Sequence, residues 1–313
     1  MVKVIDERIT EIDKEIENIM SQECKDEAKM YVLKRERHDL IKMCKNLEPH
    51  DKVYIARHKK RPKVTEYIDA IFEDFFEQKG DALGKEDGSI FGGIALYKGL
   101  PVTVLGHRKG NDLNENIKCN FGMPGPEGYR KALRLMKQAE KFGRPIITFI
   151  DTPGAYPGLE AETNGQGTAI ATNLAKMSGL KVPVIAIVTG EGSSGGALAI
   201  GVANSVLMLE NAVYSILSPE GYASILWKDS TRSNEACSMM KLTAQDLKEF
   251  HVIDAIIPEP VGGAHINPKA VFKLTDRFIG RELEKYSKMS PDDLSRHRYK
   301  KFRNIDQDFL NVL

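Results

Sequence analysis

The sequence has few cysteines, and none of them lies at the spacing that metal or disulfide sites require. The four cysteines of this 313-residue chain are Cys24, Cys44, Cys119 and Cys237. They form no C-x-x-C motif and have no paired histidines nearby, so the pattern predicts neither a zinc site nor a disulfide framework. We therefore expect no metal in this chain and a reducing environment around it.

Long apolar runs and an excess of one charge are also missing. No apolar stretch approaches the roughly 18 residues that a membrane span needs, and the N-terminus becomes charged before a signal peptide could form. The 45 basic and 44 acidic residues leave a formal net charge of +1, so no overall field favours nucleic acid or a membrane surface. The sequence predicts a cytoplasmic protein that binds neither.

Two stretches of similar layout dominate the middle of the chain. Residues 147–150 are apolar apart from one threonine and lead into Asp151-Thr-Pro-Gly-Ala-Tyr-Pro-Gly158. Residues 184–188 lead in the same way into a glycine- and serine-rich loop at 189–199. Because each buried strand ends in an exposed loop at the start of a helix, the pattern predicts a site built from main-chain N–H groups.

Strands and helices alternate around these two stretches. The apolar patterns predict strands at 145–150, 183–189, 205–209, 213–217 and 252–257. Helices are predicted at 125–142, 164–178, 194–203, 219–227, 243–250 and 268–288. This alternation indicates an α/β fold with a parallel sheet that is covered on both faces. Lys98-Gly99 separates two further apolar runs, which predicts a β-hairpin over residues 90–106.

The N-terminal 48 residues are predicted to form a helical hairpin. Their first helix carries isoleucines at alternating steps of four and three, namely Ile5, Ile9, Ile12, Ile16 and Ile19. Ser21 is expected to cap a second helix that reaches about Asn46. After the hairpin, Thr65 is expected to cap a helix that extends through Phe76.

Three polar segments are expected to lack regular structure. The basic run 57–63 is interpreted as a solvated loop, with an anion contact as the alternative. Residues 109–120 are predicted to form a mobile surface loop. Residues 291–313 are predicted to form a polar C-terminal tail, which leaves residues 49–290 as the main domain.

Three motifs offer competing chemistry for the two glycine-rich loops. Asp151-Thr-Pro-Gly154 matches the D-x-x-G switch of GTPases, but no phosphate loop precedes it, which excludes that class. Gly192-Ser-Ser-Gly-Gly196 satisfies G-x-S-x-G, so a serine hydrolase with Ser194, Asp254 and His265 is an alternative. In the third interpretation, the N–H groups of Gly195 and Gly196 form an oxyanion hole. Close helix–sheet packing would also explain these glycines.

Five longer motifs carry a resemblance to a known family. In chain order they span residues 120–136, 149–158, 190–201, 218–228 and 256–265. Together they resemble the carboxyltransferase α subunit of bacterial-type acetyl-CoA carboxylase, over roughly residues 50–270. Two departures are Asn164, where the family has an arginine, and Ser193, where it usually has a third glycine.

This resemblance implies a fold, a reaction and partners. The fold would be the crotonase (ClpP-like) spiral of β-β-α units. The family transfers a carboxyl group from carboxybiotin, held on a separate biotin carboxyl carrier protein, to acetyl-CoA, and the product is malonyl-CoA for fatty acid synthesis. Its α subunit works with a zinc-containing β subunit in an α2β2 assembly, alongside biotin carboxylase. A catalytically silent scaffold of the same fold is the non-enzymatic alternative.

The resemblance also assigns candidate site residues. By similarity, the backbone N–H groups of Gly195 and Gly196 form an oxyanion hole that polarises the ureido carbonyl of biotin. The opposing wall and the substrate contacts come from Gly154, Ala155, Tyr156, Gly192, Ser193 and Ser194. Asp151 and Glu191 border the site, and neither is expected to transfer a proton.

Overall fold

The computed structural model describes residues 2–22 and 26–305, and within them the strands form one eight-stranded sheet. The strands are β1 (Glu73–Glu77), β2 (Ile90–Tyr97), β3 (Leu100–His107), β4 (Ile146–Thr152), β5 (Val184–Ser193), β6 (Ser205–Leu209), β7 (Val213–Ser215) and β8 (Ala255–Ile257). Their spatial order is β1-β2-β3-β4-β5-β6-β8, and β7 pairs with the end of β5.

The centre of the sheet is parallel, as predicted. The pairings β3–β4, β4–β5, β5–β6 and β6–β8 are all parallel, so the carboxyl ends of these strands meet at one edge. Every residue of β4, β5 and β6 is buried, because helices cover both faces. The predicted hairpin is confirmed as the antiparallel pair β2–β3, and Lys98 and Gly99 both take the positive φ that its turn requires.

Fourteen α-helices surround the sheet in the described part of the chain. The first seven are α1 (Val2–Met20), α2 (Glu27–Met43), α3 (Pro49–Ala56), α4 (Val64–Ile71), α5 (Leu113–Lys118), α6 (Pro126–Lys141) and α7 (Leu159–Thr163). The others are α8 (Gln166–Gly179), α9 (Ser194–Leu198), α10 (Pro219–Trp227), α11 (Ser233–Met239), α12 (Ala244–Glu249), α13 (Pro268–Tyr286) and α14 (Pro291–Arg303). Within the described residues, no helix is both long and apolar enough to cross a bilayer.

The N-terminal hairpin of α1 and α2 is present, but its second helix starts later than predicted. α1 buries its isoleucine stripe, with Ile5, Ile9 and Ile12 all less than 9% exposed. The cap of α2 is Asp26, whose side chain accepts from the N–H of Lys29, and Ser21 instead donates to the Asn18 carbonyl. The expected stretch from Ser21 to Asn46 also includes residues 23–25, which lie outside the described residues.

Two further predictions failed, one because a tertiary contact overrides the local pattern and one because a local helix cap was missed. The helix expected through Phe76 ends at Ile71, since Phe75 joins strand β1 and packs its ring 5.1 Å from that of Phe91. The loop expected at 109–120 contains α5, whose Asp112 side chain accepts from the N–H of Glu115. A capping pattern was therefore present in that segment.

The expected polar tail is also wrong for the residues that the structure describes. Residues 291–303 form α14, which Ser290 caps. Arg298 of α14 is fully buried and donates to the carbonyls of Met177, Leu180 and Val182 and to Asn204 Oδ1. Because these carbonyls end α8 and lead into β5, the helix closes the connection between α8 and the amino end of β5. Residues 306–313 lie outside the described part.

Candidate active site

The two glycine-rich loops meet at the carboxyl edge of the sheet. The first follows β4 and contains Gly154, Ala155 and Tyr156, while the second joins the end of β5 to α9. A Cβ on Gly196 would lie 2.6 Å from both the Ala155 nitrogen and the Gly154 carbonyl carbon. Only glycine allows this approach of the two backbones. Gly154 itself has a φ of 142°, which other residues rarely adopt.

The candidate oxyanion hole consists of free N–H groups in the first turn of α9. Ser193 is the N-cap, so the N–H groups of Gly195 and Gly196 precede the first helical hydrogen bond that could use them. In residues 2–22 and 26–305, neither N–H group donates to a side chain or to a backbone carbonyl outside α9. The helix predicted to reach residue 203 ends at Leu198. The free donors, rather than a long helix dipole, therefore define the site.

Backbone hydrogen bonds fix the wall opposite these donors. The N–H of Tyr156 donates to the Pro124 carbonyl at 3.0 Å, and the Gln166 side chain donates to the carbonyls of both residues. Thr152 Oγ1 lies 2.8 Å from the Gly154 carbonyl oxygen and accepts from the Gly154 N–H at 3.0 Å. The Tyr156 residue remains 38% exposed. Hydrogen bonds therefore fix the backbone of this wall, while the Tyr156 side chain stays accessible to solvent.

The two departures from the family pattern occupy different places. Ser193 is buried within β5, between the strand and the candidate hole. Asn164 ends α7 and lines, with Tyr156, a polar cavity of ≈ 340 Å³. The guanidinium of Arg130 donates to the Asn164 carbonyl at 3.2 Å. A cationic group thus lies beside the position where the resemblance led us to expect an arginine.

A chain of ion pairs lies behind the loops, largely buried at Lys109 and Asp151 and partly exposed at Arg57 and Glu220. Lys109 Nζ contacts Asp151 Oδ1 at 2.6 Å, and Asp151 Oδ1 also accepts from the N–H of Glu191 at 3.0 Å. Arg57 bridges Glu191 at 2.6 Å and Glu220 at 2.8 Å. Burial raises the pKa of Asp151, but Lys109 and the Glu191 N–H outweigh it and hold that pKa below its usual range. Asp151 is therefore a carboxylate at neutral pH.

The interpretation of the basic run 57–63 as a solvated loop is wrong for most of its length. Arg57 forms ion pairs with Glu191 and Glu220. Arg61 is fully buried and contacts the Glu259 carboxylate at 2.6 Å. Lys63 Nζ donates to two main-chain carbonyls, and burial lowers its pKa. Arg57, Lys59 and Lys60 are exposed, and the other four residues of the run are buried. The run pairs internally because the strand ends and loops next to it carry carboxylates.

Two polar groups beneath Gly196 were not anticipated from the sequence. His107 ends β3 and is 1% exposed, and burial lowers its pKa to about 3. The hydroxyl oxygen of Tyr129 would lie 3.0 Å from a Cβ on Gly196. His107 is therefore neutral at physiological pH. The signal available in the sequence was its position at the end of a strand that neighbours β4.

An apolar cavity of ≈ 580 Å³ opens beside the candidate hole. Its lining includes Ser194, Gly195 and Leu198 of α9, Phe302 near the end of α14, and Ile305 beyond that helix. A volume of this size lies in the range of small-molecule sites. Backbone donors next to an apolar cavity suit a ligand that joins a carbonyl group to a hydrocarbon skeleton.

The serine hydrolase alternative lacks its catalytic arrangement. Ser194 does take a positive φ of 57°, as a nucleophile at a sharp turn does. The side chain beside His265 is Asp6, however, whereas Asp254 accepts from the Val206 N–H and pairs with Lys301. A triad needs histidine bonded to its own acid and to serine, so these three residues do not form one.

Asp6, His58 and His265 are the one group in the described ranges whose ligand atoms could surround a metal ion. The two imidazoles stack with centroids 3.9 Å apart, and His58 Nε2 lies 3.0 Å from Asp6 Oδ2. His58 Nδ1 accepts from the Lys60 N–H, so His58 Nε2 carries the proton and donates to Asp6. These bonds attach α1 to the main domain.

Comparisons with solved structures identify the class of fold. Transcarboxylase 12S, solved with methylmalonyl-coenzyme A and methylmalonic acid bound, superposes with a TM-score of 0.60 at 20% identity, covering 74% of this chain and 43% of that one. This chain thus spans less than half of the transcarboxylase chain. A Pseudomonas malonate decarboxylase MdcD-MdcE heterodimer gives a TM-score of 0.56 at 16% identity, covering 72% and 91%. The chain has the crotonase-like fold of carboxyltransferases, as expected.

Closer relatives identify the family within that class. The sequence model of the family described as acetyl co-enzyme A carboxylase carboxyltransferase-like matches residues 2–306. The acetyl-coenzyme A carboxylase carboxyl transferase subunit alpha of Bacillus cereus (strain G9842) is 58% identical over 84% of this chain and 81% of its own length. The same subunit of Clostridium botulinum (strain Alaska E43 / Type E3) is 57% identical over 85% and 97%. The chain belongs to this family, which confirms the resemblance read from its motifs.

Proposed function

We propose that this chain supplies one half of a carboxyltransferase site that moves a carboxyl group from carboxybiotin to acetyl-CoA, giving malonyl-CoA for fatty acid synthesis. The carboxyl donor would arrive on a biotin carboxyl carrier protein charged by biotin carboxylase, in the cytoplasm. The observation that carries the proposal is the pair of free N–H groups at Gly195 and Gly196, which lie between the Gly154–Tyr156 wall and an apolar cavity.

Backbone donors suit this reaction because negative charge develops on carbonyl oxygens rather than on a nucleophilic side chain. When bound, the carboxylated biotin supplies the carboxyl group. The N–H groups of Gly195 and Gly196 would hold its ureido oxygen as charge builds there, and preorganised donors of this kind are each worth roughly 3–4 kcal/mol. The proton of the acetyl methyl group would pass to the biotin nitrogen that the carboxyl group leaves. Neither Asp151, which is tied to Lys109, nor Glu191, which is tied to Arg57, is assigned as a proton carrier.

The apolar cavity fits the hydrocarbon part of such a donor. An acetyl group has two carbon atoms and would leave most of ≈ 580 Å³ empty, whereas a bicyclic ring with an aliphatic arm would fill much more of it. Since Gly195 lines the cavity, a ring inside it can present its carbonyl oxygen to the two N–H groups. The assignment therefore places the donor, rather than the thioester, against α9.

Replacing Phe302 with alanine tests this placement. Removing an aromatic wall should raise KM for a free biotin donor about fivefold to tenfold, because partial loss of apolar contact costs roughly 1–1.4 kcal/mol, and it should leave KM for the coenzyme A thioester unchanged. The control is Tyr299→Ala on the same helix, where the side chain is 65% exposed. Equal increases in KM for both substrates, with unchanged unfolding midpoints, would show that the donor does not bind in this cavity.

The second half of the site is assigned to a partner chain, a zinc-containing β subunit in an α2β2 assembly. The decisive experiment is purification of this chain from its native cell, followed by zinc analysis and an assay of malonyl-CoA formation with and without the co-purified chain. We expect activity only in the assembly, from an enzyme that contains a zinc-bearing partner. Ester hydrolysis by the isolated chain, blocked by a fluorophosphonate at Ser194, would contradict the assignment. Correct assembly without any transfer would indicate a silent scaffold.

A further inference from the structure

The pairing of β4 with β5 breaks directly behind the candidate hole. The two strands pair residue by residue up to Ile150 and Val188, but the next pair is Thr152 with Gly192. One residue of β4, Asp151, therefore lies opposite three residues of β5, from Thr189 to Glu191. A bulge of this kind redirects the strand that carries it. Here it redirects the segment of β5 that leads to Gly195 and Gly196.

Side chains satisfy the backbone groups that the bulge removes from the sheet. The N–H of Glu191 donates to Asp151 Oδ1 at 3.0 Å, and the Thr189 carbonyl accepts from Arg61 Nε at 2.5 Å. Thr189 Oγ1 donates to the Ile150 carbonyl at 3.3 Å. Buried backbone groups are costly without partners, so the shape of the bulge depends on these contacts.

Gly190 shows how closely the Asp151 carboxylate fits into the bulge. A Cβ at this position would overlap both Asp151 Oδ1 and its carboxyl carbon. The carboxylate therefore lies directly on the Gly190 backbone. Lys109 Nζ, 2.6 Å from the same oxygen, compensates its charge inside the protein. The carboxylate of Asp151, rather than contact with a substrate, therefore explains why residue 190 is glycine.

We propose that Asp151, held by Lys109, is a positioning residue that fixes the β5 bulge and thereby sets the separation between the Gly196 N–H and the Gly154–Tyr156 wall. Asp151 is the penultimate residue of the strand that leads into the wall, and its side chain accepts a hydrogen bond from the strand that leads into the donors. One buried carboxylate thus couples both halves of the hole. This inference rests on the proposed function, since it gives Asp151 a role in that same site.

The test replaces Asp151 with asparagine in the assembled enzyme. We expect kcat for carboxyl transfer to fall about 10- to 100-fold, because misplacement of a catalytic group by about 1 Å can cost 100-fold. KM should change less than threefold and the pH profile of kcat should keep its shape. If Asp151 instead carried a proton, its replacement would remove a limb of that profile, and the positioning role would be wrong.

A second pair of variants separates positioning from general destabilisation. Gly190→Ala should lower kcat as Asp151→Asn does, and the double variant should lose no more than the worse single one, since both act on one contact. The matched control is Gly167→Ala in α8, where an added Cβ meets no atom within 4 Å. Lys109→Arg should retain most activity, whereas Lys109→Met should resemble Asp151→Asn. Additive losses, or an active Lys109→Met variant, would contradict the inference.

Hydrogen exchange supplies a measurement that needs no activity. In Asp151→Asn, the peptide that contains the Glu191 amide should exchange faster than in the parent protein, while peptides of β6 stay protected. If the parent enzyme is active and Asp151→Asn changes neither the exchange rate nor kcat, the positioning role is wrong while the proposed function stands. Faster exchange in an assembly that never transfers carboxyl groups would support the bulge contact and refute the proposed function instead.

Discussion

Replacing Gly196 with alanine is expected to lower carboxyl transfer by at least about 100-fold while the assembly with a partner chain still forms. The added Cβ would lie 2.6 Å from the Ala155 nitrogen and the Gly154 carbonyl carbon, which are backbone atoms that cannot rotate away. The two loops must therefore separate, and the N–H of Gly196 moves with them. Loss of one preorganised donor costs about 10²–10³-fold in turnover. Steady-state kinetics of malonyl-CoA formation measure this loss directly.

Gly195 provides the matched control for this variant. A Cβ on Gly195 would come no closer than 3.5 Å to the Ile170 side chain, which is an ordinary contact. Gly195→Ala should therefore keep its N–H in place and retain turnover within severalfold of the parent enzyme. Size-exclusion chromatography and the unfolding midpoint check that both variants assemble and fold. Full activity in Gly196→Ala would refute the oxyanion role. Equal losses in both variants would show that glycine is needed to let the substrate reach the N–H groups, rather than to let the two loops contact each other.

The features visible in the sequence are those that local pattern encodes. Apolar runs that end in glycine-rich loops fix where the strands stop, and parallel strands place their carboxyl ends together. The contact between the loops around Gly154 and Gly196 was therefore predictable from residues within each loop. The five motifs then supplied the family, which no periodicity could have given.

What the sequence did not reveal depends on partners that are far apart along the chain. Arg57 lies 134 residues from Glu191, and Arg298 lies more than 115 residues from the carbonyls that it binds. A sequence shows that such residues are charged, but their burial follows only from the completed fold. For this reason the basic run looked solvated, the last helix looked like a tail, and the bulge at Asp151 left no local signal beyond its glycine.

Replacing Arg61 with alanine is expected to cost about 3–5 kcal/mol of unfolding free energy, because it leaves a buried carboxylate without its counter-charge. The side chains of Arg61 and Glu259 are 1% and 0% exposed, and two guanidinium nitrogens contact the carboxylate at 2.6 and 3.1 Å. Arg61 Nε also holds the Thr189 carbonyl, the first backbone group of the β5 bulge. Urea unfolding measures the loss, with Arg296→Ala as control in an ion pair whose side chains are 63% and 50% exposed.

Arg61→Lys separates the charge of this residue from its geometry. Lysine keeps the positive charge near Glu259 but lacks the planar fork that bonds the carboxylate and the Thr189 carbonyl together. We expect Arg61→Ala to lower turnover as well, because the bulge loses its contact at the Thr189 carbonyl. The lysine variant should recover part of the lost stability but little of that turnover, since the bulge stays unsupported. A lysine variant with normal stability and turnover would show that charge alone suffices. An alanine variant as stable as Arg296→Ala would show that the buried pair does not anchor the basic run to the site.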